Sequence, residues 1–295
     1  NAVGISAVHT IFNLFTTALL CPFTKQLERF ANFVIRPSKK KETYAFLDER
    51  LLGTPSIAVG EASDMTVKMA TLARMTILSA INICQSYDVK VADEILKHED
   101  ELDLYEDKLG TFLVKLSSRS LSIADSRKVS NMLHTIGDFE RLGDHAVNLR
   151  KTAEEIHDKH IVFSEDAVKE LQNLTNALTE ILELTIDAFS EHNLEMARHV
   201  EPLEQVIDCL ISAAKSTHVE RLQSGKCTIQ NGFVLNDLLT NYERVSDHCS
   251  NIAVSLIETS AGSFDTHEYL SEVKEGGSKD YTDLYHAYTK KYALQ

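Results

Sequence analysis

Four pairs of carboxylates, each a glutamate followed four residues later by an aspartate, occupy matching places in two halves of this chain. The pairs are Glu99 with Asp103, Glu140 with Asp144, Glu204 with Asp208, and Glu243 with Asp247. The sequence has 44 acidic residues among 295, so several acidic pairs at this spacing are expected by chance. The repeated placement is therefore the informative feature. Clustered carboxylates can bind hard metal ions or serve as general acids and bases.

The helical period places these carboxylates in line with apolar residues. Around Glu140 and Asp144, apolar residues recur three or four positions apart, as on one face of a helix. The same pattern surrounds the other three pairs, so we predict that the carboxylates face the bundle rather than water. Like charges four residues apart weaken a helix by about 0.2–0.5 kcal/mol, and desolvating them costs several kcal/mol more unless a cation is near.

Two kinds of cation fit this requirement. One is a metal ion bridged by carboxylates of two helices, with Mg, Ca, Mn and Fe suited to oxygen ligands. The other is Arg141 or Arg244 from a neighbouring helix, in a salt-bridge network that fixes helix register. His145 and His248 follow the aspartates by one residue, a rotation of about 100°, so we expect hydrogen-bonded flanking residues rather than ligands.

Sequence motifs and charge argue against several function classes. The chain has no Ser-His-Asp arrangement, phosphate-binding Gly-rich loop or H-E-x-x-H motif. Acid and base catalysis by the paired carboxylates is the weakest alternative because no cleft-like loop accompanies them, and we expect no enzyme. A net charge of -14 repels a phosphate backbone, so nucleic acid is not an expected partner.

Composition and periodicity predict an all-α protein. Only four prolines and eleven glycines interrupt the chain, and six long helical patterns follow one another, over residues 57–86, 89–118, 123–158, 164–191, 194–223 and 228–260. A displacement of 103 residues places "FERLGDH" on "YERVSDH", with His145 on His248. We therefore predict two tandem three-helix bundles, packed about a pseudo-twofold axis. Gly137 and Gly143 are expected to permit close helix approach.

The amino-terminal segment Ala2–Phe23 carries no formal charge and is long enough for a transmembrane helix, which needs about 20 residues. Six Lys and Arg residues follow by position 41 against the single acidic Glu28, which favours a cytoplasmic side for the rest of the chain. His9 and Asn13 give this helix a polar face that suits contact with other membrane helices preceding residue 1. A buried or docking helix of a soluble protein is the alternative.

The duplicated unit, with "ERLGDH" and "ERVSDH" and the two preceding acidic pairs, resembles PhoU, a helical phosphate-signalling regulator family whose E-x-x-x-D motifs can hold metal clusters. Joined to "GISAVHTIFNLFTTALLCPF", it is similar to sodium/phosphate cotransporters with a cytoplasmic PhoU-like tail. The resemblance implies a regulatory tail and last membrane helix of a sodium-dependent phosphate cotransporter. It also implies metal at all eight carboxylates, with Mg, Mn or Fe as a divalent or ferric ion. The alternative is a free-standing PhoU-type adaptor.

The resemblance also implies an organisation and partners. We expect a membrane helix and interfacial segment at 1–36, a linker at 37–55, repeats at 56–160 and 161–262, and a tail at 263–295 that docks as one helix or stays loose. The expected partners are the membrane, phosphate and sodium through a transport core upstream of residue 1, and a second copy of the chain or a regulatory protein. The expected location is the cell membrane, with the body on the cytoplasmic side.

Overall fold

The computed structural model describes residues 2–20, 47–261 and 279–293, and the chain forms two units, residues 1–46 and 47–295. The first unit contributes helix α1, Ala2–Leu20. The second contains eight helices in the described ranges: α2 Pro55–Ile83, α3 Val89–Ser117, α4 Ile123–Asp158, α5 Glu165–Glu191, α6 Leu194–Ala197, α7 Val200–Gln223, α8 Ile229–Ala261 and α9 Lys279–Lys291. A 3₁₀ turn at Glu49–Gly53 precedes α2.

Helix α1 covers residues 2–20 of the predicted membrane segment Ala2–Phe23, and residues 21–23 lie outside the described part of the chain. Its 19 residues reach about 29 Å, against a hydrocarbon core of about 30 Å. Two residues of its predicted polar face are hydrogen-bonded to each other, with Asn13 Nδ2 and His9 Nδ1 3.1 Å apart. Within residues 2–20, 47–261 and 279–293, no helix is both long and apolar enough to cross a bilayer. The predicted interfacial segment and most of the linker lie outside the described residues.

Local capping explains where the long helices begin. Asp88 accepts a hydrogen bond from the Lys90 backbone N–H at 2.7 Å, and Ser122 accepts one from the Asp125 N–H at 3.0 Å. Such side chains satisfy amide groups that have no partner within the first helical turn. Helices α3 and α4 accordingly begin at the residues predicted from the sequence, and α4 also ends where predicted.

The predicted single helix over 194–223 is wrong in one respect. The chain forms a four-residue helix, α6, and then the longer α7, with Arg198 and His199 between them. Pro202 lacks a backbone N–H, and its ring clashes with the carbonyl four residues earlier, at Arg198. The corresponding α3 of the first repeat has no proline and is continuous.

The two repeats pack as the sequence predicts, confirming an all-α fold of two tandem helical bundles. Helices α2, α3 and α4 form the first bundle, and α5, α7 and α8 form the second. Between bundles, α4 packs on α8 and α2 packs on α5. Each of these contacts joins equivalent helices, as a pseudo-twofold axis requires. The Phe139 and Phe189 rings meet edge to face at 5.0 Å across this interface.

The described end of the tail forms α9, which packs on α7. Tyr288 Oη lies 3.1 Å from His199 Nδ1, and Asn173 Nδ2 donates to the Tyr292 carbonyl at 2.7 Å. Lys291 pairs with Glu180 at 2.7 Å. Residues 279–291 thus form a docked helix, one of the two predicted outcomes, and residues 262–278 lie outside the described residues.

Candidate metal centres in two carboxylate clusters

The eight predicted carboxylates form two clusters at equivalent places. The repeat-1 cluster is Glu99 and Asp103 of α3 with Glu140 and Asp144 of α4, and the repeat-2 cluster is Glu204 and Asp208 of α7 with Glu243 and Asp247 of α8. In each repeat the two helices pack against one another. The spacing of four residues keeps each pair on one helix face.

The clusters lie at the edge of these helix contacts, and the prediction that they face away from water is wrong for most of them. Glu204 is buried, at 6% exposure, but Asp103 is exposed and the other six carboxylates are partly exposed. An apolar stripe on a long helix is wider than the contact that covers it, so residues at its margin meet both neighbours and water. The desolvation cost is smaller than full burial would impose.

In the repeat-2 cluster, three carboxylates converge. One oxygen each from Glu204, Asp208 and Asp247 lies within 4.8 Å of the others. Within the described part of the chain, no other trio of His, Cys, Asp or Glu ligand atoms meets this criterion. The fourth member, Glu243, instead accepts a hydrogen bond from Lys215 Nζ at 2.9 Å.

In the repeat-1 cluster, neighbouring like charges help to raise the pKa values of three carboxyl groups. Partial desolvation raises the pKa of Glu99 above its ordinary value, and the charges of Asp103 and Asp144 raise it further. Desolvation and then Asp144 also raise the pKa of Asp103. The pKa of Glu140 rises for the same two reasons, although Arg141 opposes the shift. Carboxylates of α3 and α4 therefore repel one another across the helix contact.

The arginines supply weak compensation, and the prediction that they come from neighbouring helices is wrong. Arg141 lies on the same helix as its partners, 3.6 Å from Glu140 and 3.7 Å from Asp144. Arg244 likewise pairs with Asp247 of its own helix at 3.4 Å. Both arginine side chains are more than 60% exposed. Such exposed pairs contribute about 0–1 kcal/mol, too little to cancel the repulsion of four carboxylates.

The donor set fits a hard cation. Each cluster presents carboxylate oxygens from two helices, and in repeat 1 a divalent or ferric ion would also relieve the repulsion that raises the carboxyl pKa values. Gly143 supports this geometry because a Cβ there would lie 2.8 Å from Leu102 Cδ1, so α3 and α4 approach closely beside Glu99. Gly137 has nothing within 4 Å of such a Cβ, so the predicted packing role for it is wrong.

His145 and His248 occupy the interface between repeats. His145 Nδ1 lies 3.0 Å from Asn241 Oδ1, and His248 Nδ1 lies 2.8 Å from Asp138 Oδ1. Asp138 corresponds to Asn241 in the repeat, so these two hydrogen bonds are equivalent contacts across the pseudo-twofold axis. The rings are 5.5 Å apart. The histidines are hydrogen-bonded flanking residues, as predicted.

Two contributors were missing from the sequence prediction. Lys215 neutralises Glu243, and Asp138 holds His248. The signal for Lys215 is present in the repeat itself: a displacement of 105 residues places Lys215 on Gly110, so one repeat has a cation where the other has none. The partner of Asp138 depends on how the two repeats dock, which no local pattern indicates.

Both repeats match the model of a known protein family. The PhoU domain family model matches the chain twice, over residues 66–153 and 171–256. These segments cover more than half of the chain and include all eight carboxylates. This chain belongs to the PhoU domain family.

Two relatives match this chain over different shares of its length. This chain is 24% identical over 194 residues to the phosphate-specific transport system accessory protein PhoU homolog of Clostridium acetobutylicum, a match covering 65% of this chain and 87% of that protein. It is also 22% identical over 258 residues to the putative inorganic phosphate export protein YjbB of Salmonella typhimurium, covering 85% of this chain and 47% of that protein. The second match therefore takes in more of this chain but only about half of the relative.

The fold has a counterpart among solved structures. The crystal structure of PhoU from Pseudomonas aeruginosa superposes with a TM-score of 0.64 at 20% identity, covering 72% of this chain and 100% of that one. At this identity the likeness establishes the tandem helical bundles and nothing finer.

Proposed function

We propose that this chain is a PhoU-type regulatory module of a phosphate transport system, which acts by binding a partner protein rather than by catalysis. The observation that carries the proposal is the family match to both repeats, with all eight carboxylates inside it. The relative from Clostridium acetobutylicum is named as an accessory protein of phosphate-specific transport, which is a role exerted through a partner.

The regulatory role is tested by phosphate uptake. Deleting the coding sequence from its host should change the ratio of labelled phosphate uptake between phosphate-rich and phosphate-starved cells, and the intact chain should restore it. An unchanged ratio would show that this chain does not regulate phosphate uptake. A variant chain that folds but fails to restore the ratio would then locate the surface that the partner contacts.

The carboxylate clusters are proposed to hold Mg, Mn or Fe as divalent or ferric ions. Three convergent oxygens in repeat 2 and the mutual repulsion in repeat 1 support this proposal. Bound there, an ion would neutralise carboxylates on two helices at once and stiffen their contact. Its role in this proposal is structural, and no chemical step depends on it.

Elemental analysis of purified protein tests the metal proposal. The variant Glu140→Gln/Asp144→Asn/Glu243→Gln/Asp247→Asn removes half of each cluster, and we expect it to lose most of the metal that the unchanged chain retains. A matched control neutralises four exposed carboxylates outside the clusters, as Glu94→Gln/Asp107→Asn/Glu220→Gln/Asp237→Asn, and should keep its metal. Equally low metal content in all three proteins would contradict the metal proposal. Of the two predicted sources of positive charge at the clusters, only the arginine salt bridges would then remain.

A second candidate is that the chain is the PhoU-like part of a larger, sodium-dependent phosphate transport protein of the cell membrane. The match to 85% of this chain but 47% of a putative phosphate export protein favours it, as do the uncharged amino-terminal segment and its basic flank. Cell fractionation discriminates between the candidates. Recovery of the native protein in the detergent-free soluble fraction would reject the membrane candidate and leave the adaptor.

A further inference from the structure

A cavity of about 360 Å³ lies between α2, α4, α5 and α8, apart from both carboxylate clusters. None of the eight cluster residues lines it. Its nearest approach along α4 is Met132, eight residues before Glu140, which is about 12 Å along the helix axis. The cavity is therefore a separate site from both proposed metal centres.

The rim of the cavity is basic. Arg127 and Lys128 of α4 line it, and no lining residue is acidic, although the chain has 44 acidic residues against 30 Lys and Arg. Both cations are exposed, and across residues 47–261 and 279–293 neither forms an ion pair within 4.0 Å. Ala124, in the first turn of α4, adds the positive end of a helix of 36 residues to the same rim.

The floor of the cavity is apolar and rigid. Met132, Phe189 and Leu256 line it and are each less than 5% exposed. Phe189 is fixed by its edge-to-face contact with Phe139. The amide of Asn131 is buried beside this floor and donates to Ser255 Oγ at 3.3 Å, so its orientation is also set.

One wall is a second aromatic group. His192 ends α5 in the left-handed conformation, with φ of 52°, and its ring centroid lies 6.4 Å from that of Phe189. Desolvation lowers the pKa of His192, and the charge of Lys128 lowers it further. The imidazole is therefore neutral near pH 7, able to stack on a flat ring and to exchange one hydrogen bond.

These parts favour a ligand with an anionic end and a flat, largely apolar body. The volume is at the lower end of the range of about 300–1,000 Å³ typical of small-molecule sites. A phosphate group would pair with the two cations of the rim, and a flat apolar ring would cover the apolar surface that the floor presents to the cavity. We propose that the cavity binds a nucleoside monophosphate, with phosphate at Arg127 and Lys128 and the nucleoside on the floor formed by Met132 and Phe189.

Equilibrium dialysis of the 295-residue chain in phosphate-free buffer tests this proposal, using AMP, GMP, CMP and UMP as probes. At least one should bind saturably, and at least tenfold more tightly than either its nucleoside or inorganic phosphate. Arg127→Gln/Lys128→Gln should weaken this binding by tenfold or more. The control Lys90→Gln/Arg119→Gln removes two exposed cations elsewhere and should leave binding unchanged.

A second variant guards against loss of the fold. Ala124 is exposed in the first turn of α4, where an acidic side chain suits the helix dipole, so Ala124→Glu should fold while repelling phosphate. Ala124→Gln is its uncharged control. The proposal is overturned if no nucleotide binds saturably at millimolar concentration, if inorganic phosphate binds as tightly as the nucleotide, or if both charge variants bind as the unchanged chain does.

Discussion

The two carboxylate clusters descend from one pattern but differ in how their charge is balanced. In repeat 2, Lys215 of α7 pairs with Glu243 at 2.9 Å, and the other three carboxylates converge. In repeat 1 the corresponding position is Gly110, and the only cation paired with this cluster among the described residues is Arg141, from the same helix as Glu140. Arg141 pairs with two of these four carboxylates, and the charge of Lys151 lowers the pKa of Glu99 without an ion pair within 4.0 Å.

This difference shows that two copies of one sequence motif can balance their negative charge in different ways. Repeat 2 needs less charge from a bound ion, because lysine already neutralises one carboxylate. Repeat 1 has raised carboxyl pKa values and a larger unbalanced negative charge, so it gains more from a metal ion. We expect repeat 1 to be the tighter site for a highly charged ion.

Exchanging the cation between repeats has the largest expected effect. Gly110→Lys places an ammonium where repeat 2 has Lys215, and a Cβ at this position meets only Ile136 Cδ1, at an ordinary 3.5 Å. The new charge should compete with metal at Glu140 and weaken Mn²⁺ binding to repeat 1 by about 100-fold, or about 2.7 kcal/mol. Calorimetric titration is done in a chain carrying Glu204→Gln/Asp208→Asn/Asp247→Asn, so that only repeat 1 binds.

The reverse exchange sharpens the same comparison. Lys215→Gln removes the competing charge from repeat 2 and should strengthen Mn²⁺ binding there, measured in a chain with the repeat-1 cluster neutralised. Gly110→Gln is the control for side-chain bulk and should change repeat-1 binding much less than Gly110→Lys. If the lysine and glutamine variants at position 110 bind Mn²⁺ alike, the charge difference between the clusters is not what distinguishes them.

The interface between repeats offers a second asymmetry. His248 contacts the charged Asp138, whereas the equivalent His145 contacts the neutral Asn241. Hydrogen bonds to charged groups contribute about 1.5–3 kcal/mol. Asp138→Asn should therefore lower the free energy of unfolding in urea by about 1.5 kcal/mol, because the Asp138 and His248 side chains are each only 17% exposed.

The equivalent change on the other side is the matched test. Asn241→Asp gives His145 a charged partner, where desolvation now holds the pKa of His145 below its ordinary value. That pKa should rise, as followed by the imidazole proton resonances. No shift at His145 would mean that the two contacts are not equivalent in solution.

The close approach of α3 and α4 in repeat 1 gives the third prediction. Gly143 corresponds to Ser246 in repeat 2, so only repeat 1 has no side chain here. Gly143→Ala forces its Cβ to 2.8 Å from the fully buried Leu102, and overpacking of 1–3 kcal/mol should outweigh a helix-propensity gain of about 1 kcal/mol. We expect a net loss of about 1 kcal/mol in unfolding free energy.

Gly137 lies on the same helix and serves as the control. Open space surrounds its Cβ position, so Gly137→Ala should stabilise the chain by about 0.5–1 kcal/mol through propensity alone. Opposite signs for the two alanine variants are therefore expected. Equal stabilisation by both would show that Leu102 can move aside and that the close contact in repeat 1 is not tight.

The sequence predicts elements well where the signal is local. Helix α4 has a serine cap, a long uninterrupted period and a polar end, so both of its bounds are correct. The pattern over 194–223 does not indicate the break before Val200, because the surrounding helical period outweighs the signal of one proline. Periodicity predicts the cluster carboxylates too deep in the bundle, because it gives the direction of a side chain and not the extent of the neighbour that covers it.

Acidity provides the smallest and most specific comparison. Glu99 and Glu140 have pKa values above their ordinary ones, so the folded chain holds these protons more tightly than the unfolded chain. Protonation of these two carboxyl groups stabilises the folded state at low pH. This stabilisation is lost as the pH rises from the pKa of the unfolded state through the higher pKa of the folded state. In metal-free buffer, Glu99→Gln/Glu140→Gln should therefore become more stable relative to the unchanged chain as pH rises from 4 to 7.

The size and the control of this effect follow from exposure. Both carboxylates are partly exposed, so water screens the repulsion and the gain should be smaller than those above. Adding Mn²⁺ at pH 7 should reduce the stability difference between the two proteins, because an ion bound to the unchanged chain relieves the same repulsion. A difference that stays constant from pH 4 to 7 would show that the repeat-1 carboxylates do not crowd one another, and the contrast with repeat 2 would rest on Lys215 alone.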